Sequence, residues 1–410
     1  MTNNVKKARI KHYLGKIMNK YSILNFKKSS IIFIKNQSPK NSFYIITKGK
    51  AISYGTLESN VEFNKGDILG LVNVVLNEPY FYNMKALEDM EVIELTLDEI
   101  INTKNKDLTI KIYEYLNSSL ETWLGRYYLL ISESKEIIKG KTQEEILNMA
   151  QVYSKNGFDH AAYKLYNEYI KRFPNDNENI DDVKNKLSNI NPIEEPLAKK
   201  ENVFHYKKGY CLYTELEGSD KLYLIKSGKI GIYNIVNLKQ ITRSIYSKNS
   251  IIDGYNPILE YQPLSTSAII LEDSVIKVLK KEELLNVIEN DNSIKLYYIK
   301  MLSMKIRNTI LKIIAINTDD MLAKILITLY YIVKTETLPN NIDHIDLPYN
   351  INDIKTMLNI RDNEIIKKEL NKIKTISISD NNYINITNIK GFIMEYKNSI
   401  NRVTNMNHHS

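Results

Sequence analysis

A chain of 410 residues, 43% hydrophobic and 25% charged, is long enough for about two to four domains with buried cores. Its longest apolar runs, Leu326 to Val333 and Ile310 to Ile316, fall short of the roughly 18 residues a membrane span needs. The net charge of +8 favours anionic partners, but Lys, Asn, Ile and Tyr are all heavily used, as in an AT-rich coding sequence, and that bias discounts the charge.

Residues 1 to 50 carry twelve Lys or Arg and no acid. Val5, Ile10, Leu14, Ile17 and Met18 fall at helical spacing, so residues 5 to 20 predict a basic amphipathic helix, packed on the next domain or lying on an anionic surface. The segment has neither the uninterrupted apolar core nor the cleavage site of a signal peptide, so the expectation is a cytoplasmic protein without membrane partners. From Ser22 to about Leu95, short alternating runs (Ile31 to Ile34, Phe43 to Ile46, Val92 to Leu95) are separated by Asn, Ser, Pro and Gly, the cadence of an antiparallel roll. The period then changes. Residues 97 to 137 read as helices with a broad stripe through Ile100, Ile112, Tyr115, Leu116, Leu120, Trp123, Leu124 and Tyr127, Trp123 serving as a core anchor.

Residues 143 to 176 hold Ile146, Ala150, Tyr153, Gly157, Phe158, Ala162, Tyr166 and Pro174, the spacing of one tetratricopeptide repeat. Small residues let two antiparallel helices approach, and a third helix near 178 to 189 caps the pair. This unit is a spacer or a protein-docking site over 143–189. The polar stretch Ser188 to Lys200, with Pro192 and Pro196, marks a linker. A second strand-rich block runs from Val203 to about Leu279; it contains the only cysteine, Cys211, read as a small core residue.

Residues 281 to 316 carry an apolar stripe too wide for one roll to cover, which predicts a dimer helix. Thr318-Asp-Asp caps a new helix from Met321 to Val333. Asn350 to Leu358, a turn at Asn359-Ile-Arg361 and Asp362 to Ile373 have helix-turn-helix proportions. Ile376 to Ser379 and Tyr383 to Ile386 then form a two-stranded wing.

One stretch occurs twice: Ser42-Phe-Tyr-Ile-Ile-Thr-Lys-Gly-Lys-Ala-Ile-Ser-Tyr54 and Lys221-Leu-Tyr-Leu-Ile-Lys-Ser-Gly-Lys-Ile-Gly-Ile-Tyr233. In both, a Gly (Gly49, Gly228) between two alternating runs predicts a hairpin. With Gly66-Asp-Ile-Leu-Gly70 downstream, the pattern resembles the cyclic-nucleotide-binding domain of the Crp/Fnr regulators, and the C-terminal order is similar to their winged helix.

The resemblance implies an α+β chain: two cupin-like β-rolls (jelly rolls) with long flanking helices, a helical-hairpin insert and a C-terminal winged helix-turn-helix. The expected domains are a first roll over 1–96, connecting helices over 97–139, the tetratricopeptide-like unit over 140–189, a linker over 190–200, a second roll over 201–280, dimerisation helices over 281–334 and the winged helix over 335–400. Family members that bind a cyclic mononucleotide hold its ribose with a Glu and its phosphate with an Arg nine residues later. Here Leu71 falls at that Glu, Tyr80 at the Arg and Phe81 at the following Ala; in the second roll the Glu position is Gly254 or Tyr255 and the Arg position Pro263 or Leu264. Loss of both clamps argues against ordinary cAMP or cGMP binding. Asp253, Gly254, Tyr255, Ser265, Thr266 and Ser267 remain as a candidate site for a differently held cyclic nucleotide or cyclic dinucleotide, or as scaffold. No cofactor is required.

On the recognition-helix candidate, Arg361, Asn363 and Glu364 suit base edges and Lys367 and Lys368 suit phosphates of double-stranded DNA. Residues 350 to 410 carry nine basic against six acidic residues, a weak excess for such a module. No catalytic or metal-ligating grouping stands out among the six histidines and single cysteine, so a non-enzyme is expected. The resemblance implies a homodimeric transcription regulator, joined through 281–316, that moves two winged helices relative to half-sites about 34 Å apart. The alternative is a sensor-like scaffold that binds proteins and no operator.

Overall fold

The computed structural model describes residues 21–55, 60–131, 142–197, 202–217, 219, 221–253, 266–280, 283, 290–337 and 342–406; the amphipathic helix expected over 5–20 lies outside them. The chain divides into two compact units, each discontinuous in sequence: Met1–Trp123 with Leu285–Ile314, and Leu124–Leu284 with Ala315–Ser410.

In the first unit, β1 (Ile23–Phe26), β2 (Ile31–Phe33), β3 (Ser42–Lys48), β4 (Ala51–Tyr54), β5 (Glu62–Phe63), β6 (Ile68–Leu69), β7 (Asn83–Ala86) and β8 (Met90–Thr96) form two antiparallel four-stranded sheets, ordered β1-β8-β3-β6 and β2-β7-β4-β5. The alternation of β3 turns Tyr44 and Ile46 into a core with Phe33, Leu69, Met84 and Val92. Its other face is also covered, since Phe43 and Ile45 are fully buried, which is why the run reads as continuously apolar.

The repeated glycine is a corner rather than a hairpin. β3 pairs with β8 in one sheet and β4 with β7 in the other, so the chain passes between sheets at Gly49. There the φ is +83° and an added Cβ would lie 2.5 Å from Met90 Cβ, because two bent strands meet back to back. Two alternating runs around a Gly look the same in sequence whether the chain reverses or bends. A short helix α1 (Leu71–Leu76) follows β6, and α2 (Leu97–Asn102) starts with a Thr96/Glu99 capping box. The long helix α3 (Lys106–Ile131) completes the contiguous part, with Trp123 buried 6.5 Å from the Tyr82 ring.

In the second unit, α4 (Gln143–Lys155) and α5 (Asp159–Arg172) form a hairpin whose turn uses Gly157 at φ +77°, and α6 (Ile180–Ser188) packs Val183 against them. The roll that follows contains β9 (Val203–Tyr206), β10 (Cys211–Tyr213), β11 (Lys221–Val236), β12 (Lys239–Tyr246), β13 (Ile251–Asp253) and β14 (Ser267–Lys280). The order is β10-β14-β11-β12, with β13 on β11 and β9 on β14. Here the repeat stretch is one bent 16-residue strand, paired with β14 on both sides of Gly228. Its reversal comes later, at Asn237-Leu238, both at positive φ as a two-residue hairpin turn requires. The repeat also extends further than the one stretch. Lys27 Nζ and the Lys28 amide donate to Asp89, and Lys207 Nζ and the Lys208 amide donate to Asp273 in the same way.

The helix expected to face a second copy, α7 (Asn292–Ile316), is covered within the chain: from Tyr298 to Ile316 none of its residues is exposed. The stripe is too wide for one roll because both sides of it are buried at home. Next, α8 (Met321–Glu336) is capped by Asp320, whose carboxylate accepts the Ala323 amide at 2.6 Å. The C-terminal segment then runs β15 (Ile345–Asn350), α9 (Ile351–Leu358), α10 (Asn363–Leu370), β16 (Ile376–Ile378), β17 (Tyr383–Ile386) and α11 (Ile389–Met406), with sheet order β15-β17-β16. The sequence reading missed β15, which Pro348 disguises, and α11.

Candidate ligand and nucleic-acid sites

In the first roll, the stretch that the resemblance aligns with the family's ligand cassette carries buried aromatic side chains. Tyr80, where the resemblance expects Arg, is 6% exposed and stacks on Phe33 at 4.1 Å; Phe33 stacks in turn on Tyr44 at 5.8 Å. Burial, with Tyr44 beside it, pushes the Tyr80 hydroxyl up to about 12, so it stays neutral and offers no charge to an anion. Gly70 is held at φ +80°, and an added Cβ would meet Phe33 Cζ at 2.8 Å. Nearby, Glu78 accepts from Arg307 Nη1 at 2.7 Å, and both side chains are almost wholly buried.

In the second roll, Gly254, Tyr255 and Ser265 lie outside the described residues, as does the side chain of Asp253, whose backbone ends β13. Thr266 is buried at 8% exposure. Ser267 starts β14, and its Oγ accepts the Glu215 amide at 3.2 Å. Around it a buried polar cluster ties the roll to the helical unit. Tyr153 Oη donates to Glu215 Oε1 at 2.8 Å, and the Ile235 amide donates to the same oxygen at 2.9 Å. His160, also buried, accepts the Cys211 amide on Nδ1 at 2.9 Å. Burial, aided by Lys164, lowers its pKa to about 4, so the imidazole is a neutral acceptor. Burial pushes the Cys211 thiol up to about 12, the behaviour of a core residue. Tyr153, Ala161, Leu165 and Tyr169 share one apolar core with Cys211, Leu216, Tyr233 and Ile269, so this face of the hairpin is closed by the roll.

A second seam joins the roll to the C-terminal segment. Thr242 on β12 donates its hydroxyl to Asp353 Oδ1 at 3.1 Å and its amide to Thr356 Oγ1 at 3.4 Å. The Ile245 amide donates to Tyr349 Oη at 2.7 Å, which returns a bond to the Ile245 carbonyl at 3.2 Å. Ser247 donates to Glu336 Oε2 at 2.9 Å. Burial holds the carboxyls of Asp353 and Glu336 above their ordinary range. Beside this seam Arg243 is buried, its guanidinium 5.1 Å over the Tyr127 ring.

Arg361, just before α10, and Glu364 and Lys368 on it are exposed, whereas Asn363 is half-buried with its Oδ1 turned inward. Lys367 pairs with Glu364 at 3.0 Å, and Lys372 with Glu369 at 2.6 Å. The sequence reading passed over Ile365, 40% exposed on the same helix, and Tyr383, 42% exposed on the wing strand. It also passed over Arg243, Arg307, Glu78 and Glu215. Arginine rarity was the available signal: seven of the 56 basic residues are Arg, and among those whose side chains are described Arg243 and Arg307 are buried.

Residues 23–107 and 203–291 match the family profile described as cyclic nucleotide-binding domain. No curated protein matches the chain. Among solved structures it is similar to FixK2 from Bradyrhizobium japonicum (14% identity, 47% of this chain and 95% of that chain, TM-score 0.37). A CooA mutant from Carboxydothermus hydrogenoformans gives 16% identity over 47% of this chain and 87% of that chain, TM-score 0.37. CprK complexed with OCPA gives 17% identity over 49% of this chain and 94% of that chain, TM-score 0.36. No described helix is long and apolar enough to cross a membrane.

Proposed function

We propose that this chain is a cytoplasmic, non-enzymatic regulator of the Crp/Fnr type, in which the second cyclic-nucleotide-binding domain senses a small ligand and the C-terminal segment acts as a winged helix on double-stranded DNA. The first domain is a structural counterpart, its pocket filled by Phe33, Tyr44 and Tyr80. The ligand is of nucleotide type or another small molecule, held without the Glu and Arg of the usual cassette by Asp253, Gly254, Tyr255, Ser265, Thr266 and Ser267.

The observation that carries this reading is the seam from Thr242 and Ile245 to Tyr349, Asp353 and Thr356. β12 is hairpin-paired to β11, which also pairs with β13 at the start of the candidate cassette. A ligand that moves β13 therefore has a continuous hydrogen-bonded route to α9 and the helix after it. Such a route transmits only the difference in ligand affinity between the two arrangements of the seam.

A second reading has its own support. Ion pairing of Lys367 and Lys372 within α10 and its end neutralises cations that phosphates need, which suits a winged helix used for protein contact. Fluorescence anisotropy with genomic DNA fragments across a salt series separates the two. A DNA reader gives sequence-selective binding whose logarithm falls linearly with log salt, and Arg361→Ala or Lys368→Ala lowers the slope by roughly 0.9 each. A protein-contact module gives neither.

A further inference from the structure

We infer that the long-helix pairing is made inside a single chain, with α7 laid against α3 and the first roll, so that the chain works as a monomer carrying one winged helix and reads a single half-site. The last clause rests on the DNA reading above; the pairing does not.

Contacts fix α7 to the first unit along most of its length. At its start, Asn292 Nδ2 donates to Asn102 Oδ1 at 3.3 Å. Lys295, 2% exposed, reaches the end of α2, where it donates to the carbonyls of Ile101 at 3.1 Å and Thr103 at 3.3 Å. These are helix-end carbonyls without intrahelical partners, the groups a cation satisfies best. One turn on, Tyr298 packs its ring 5.5 Å from that of Tyr113 on α3. Further along, Arg307 closes its buried ion pair with Glu78. From Asn292 to Arg307 an α-helix advances roughly 22 Å, so the attachments span four turns rather than one end.

Three physical points follow. A helix that pairs with a second copy keeps one apolar stripe open in the single chain; α7 keeps none between Tyr298 and Ile316. The Arg307–Glu78 pair resists partner exchange, because opening it takes the opposite charge away from each of two desolvated groups. Tethering also favours the intrachain partner, since effective concentrations of joined segments reach the millimolar range while a second copy is at micromolar. With α7 spent in this way, nothing in the helix pairing places a second winged helix beside the first.

The test uses the exposed contact at the start of α7. Asn102→Cys and Asn292→Cys put two thiols on the surface at a position where the native side chains touch, with Cys211 buried and left in place. Treated with a short bismaleimide, the double variant is expected to cross-link within one chain and to run as a compact monomer. An equimolar mixture of the two single variants is expected to give no linked dimer. A linked dimer in the mixture, or no link in the double variant, overturns the pairing. Sedimentation of the unmodified protein at micromolar concentration is expected to show one 47.7 kDa species; a species of twice that mass overturns the monomer. For DNA, a single half-site is expected to bind within about three-fold of a palindrome with half-sites about 34 Å apart, whereas a hundred-fold preference for the palindrome overturns the single-site clause. No binding to any DNA, with the cross-link still intrachain, removes the regulator reading and leaves the pairing standing.

Discussion

Arg307 shows how much one residue can decide. Its guanidinium is fully buried against Glu78, so Arg307→Met is expected to remove the opposite charge from a buried carboxylate and cost about 3–5 kcal/mol. Adding Glu78→Leu is expected to recover most of that loss, which urea unfolding of the two single variants and the double variant measures through the midpoints. His160 gives a pH dependence of known sign. Burial lowers its pKa from the ordinary 6.5 of an unfolded chain to about 4 in the folded one. Its contribution is therefore complete above pH 6.5 and lost as pH falls from there towards 4, because only the unfolded chain takes the proton in that window. His160→Gln is expected to flatten the melting temperature between pH 6.5 and 4.5; a slope unchanged in the variant would assign the effect elsewhere. Gly228 sits at φ +94°, where a Cβ would be 2.0 Å from Ser274 Oγ and 2.7 Å from its Cα. Gly228→Ala is expected to cost more than about 1 kcal/mol, read by thermal unfolding. A glycine at this position stands out in the repeat, but its partner does not, since Ser274 lies 46 residues away.

Among the elements, the β11–β12 hairpin matters most. The sequence reading placed a turn at Gly228, where periodicity was ambiguous, and so missed that the hairpin reaches on to Asn237-Leu238 and presents Thr242 and Ile245 to the C-terminal segment. Thr242→Val keeps the shape and removes the hydroxyl, leaving the buried Asp353 with one donor fewer. The expected cost is about 1 kcal/mol, with faster hydrogen exchange over 351–358 and little change in 23–96; equal change in both segments would place the effect outside the seam. The helical hairpin over 143–172 illustrates the reverse case. Capping, small residues and turn glycine are local and were legible, whereas the surface that closes the pair came from Cys211, Leu216 and Tyr233, distant in sequence.

At the scale of the whole chain, the two compact units are not the two halves of the repeat. The first takes back residues 285–314 after the second roll is complete. A fragment of residues 1–200 therefore lacks Lys295, Tyr298 and Arg307, and uncovers Glu78, Tyr113 and the carbonyls of Ile101 and Thr103. It is expected to melt at least about 10 °C below the full chain, or without cooperativity, by circular dichroism. A melt equal to that of the full protein would show the first unit to be complete without α7.

The repeat, the strand-rich blocks and the capped helices were all readable in the linear chain, because each depends on neighbours a few residues apart or on a period of 2 or 3.6. Sequence also established that α7 needed cover on more than one side. It could not say which surface supplies the cover, since burial is demanded by composition but satisfied by whatever the fold brings near. Only the tertiary structure decided that Glu78, Tyr113 and the end of α2 do so within the same chain. It also decided that Ser267 turns its hydroxyl to the Glu215 amide, and that the C-terminal segment is hydrogen-bonded to the second roll.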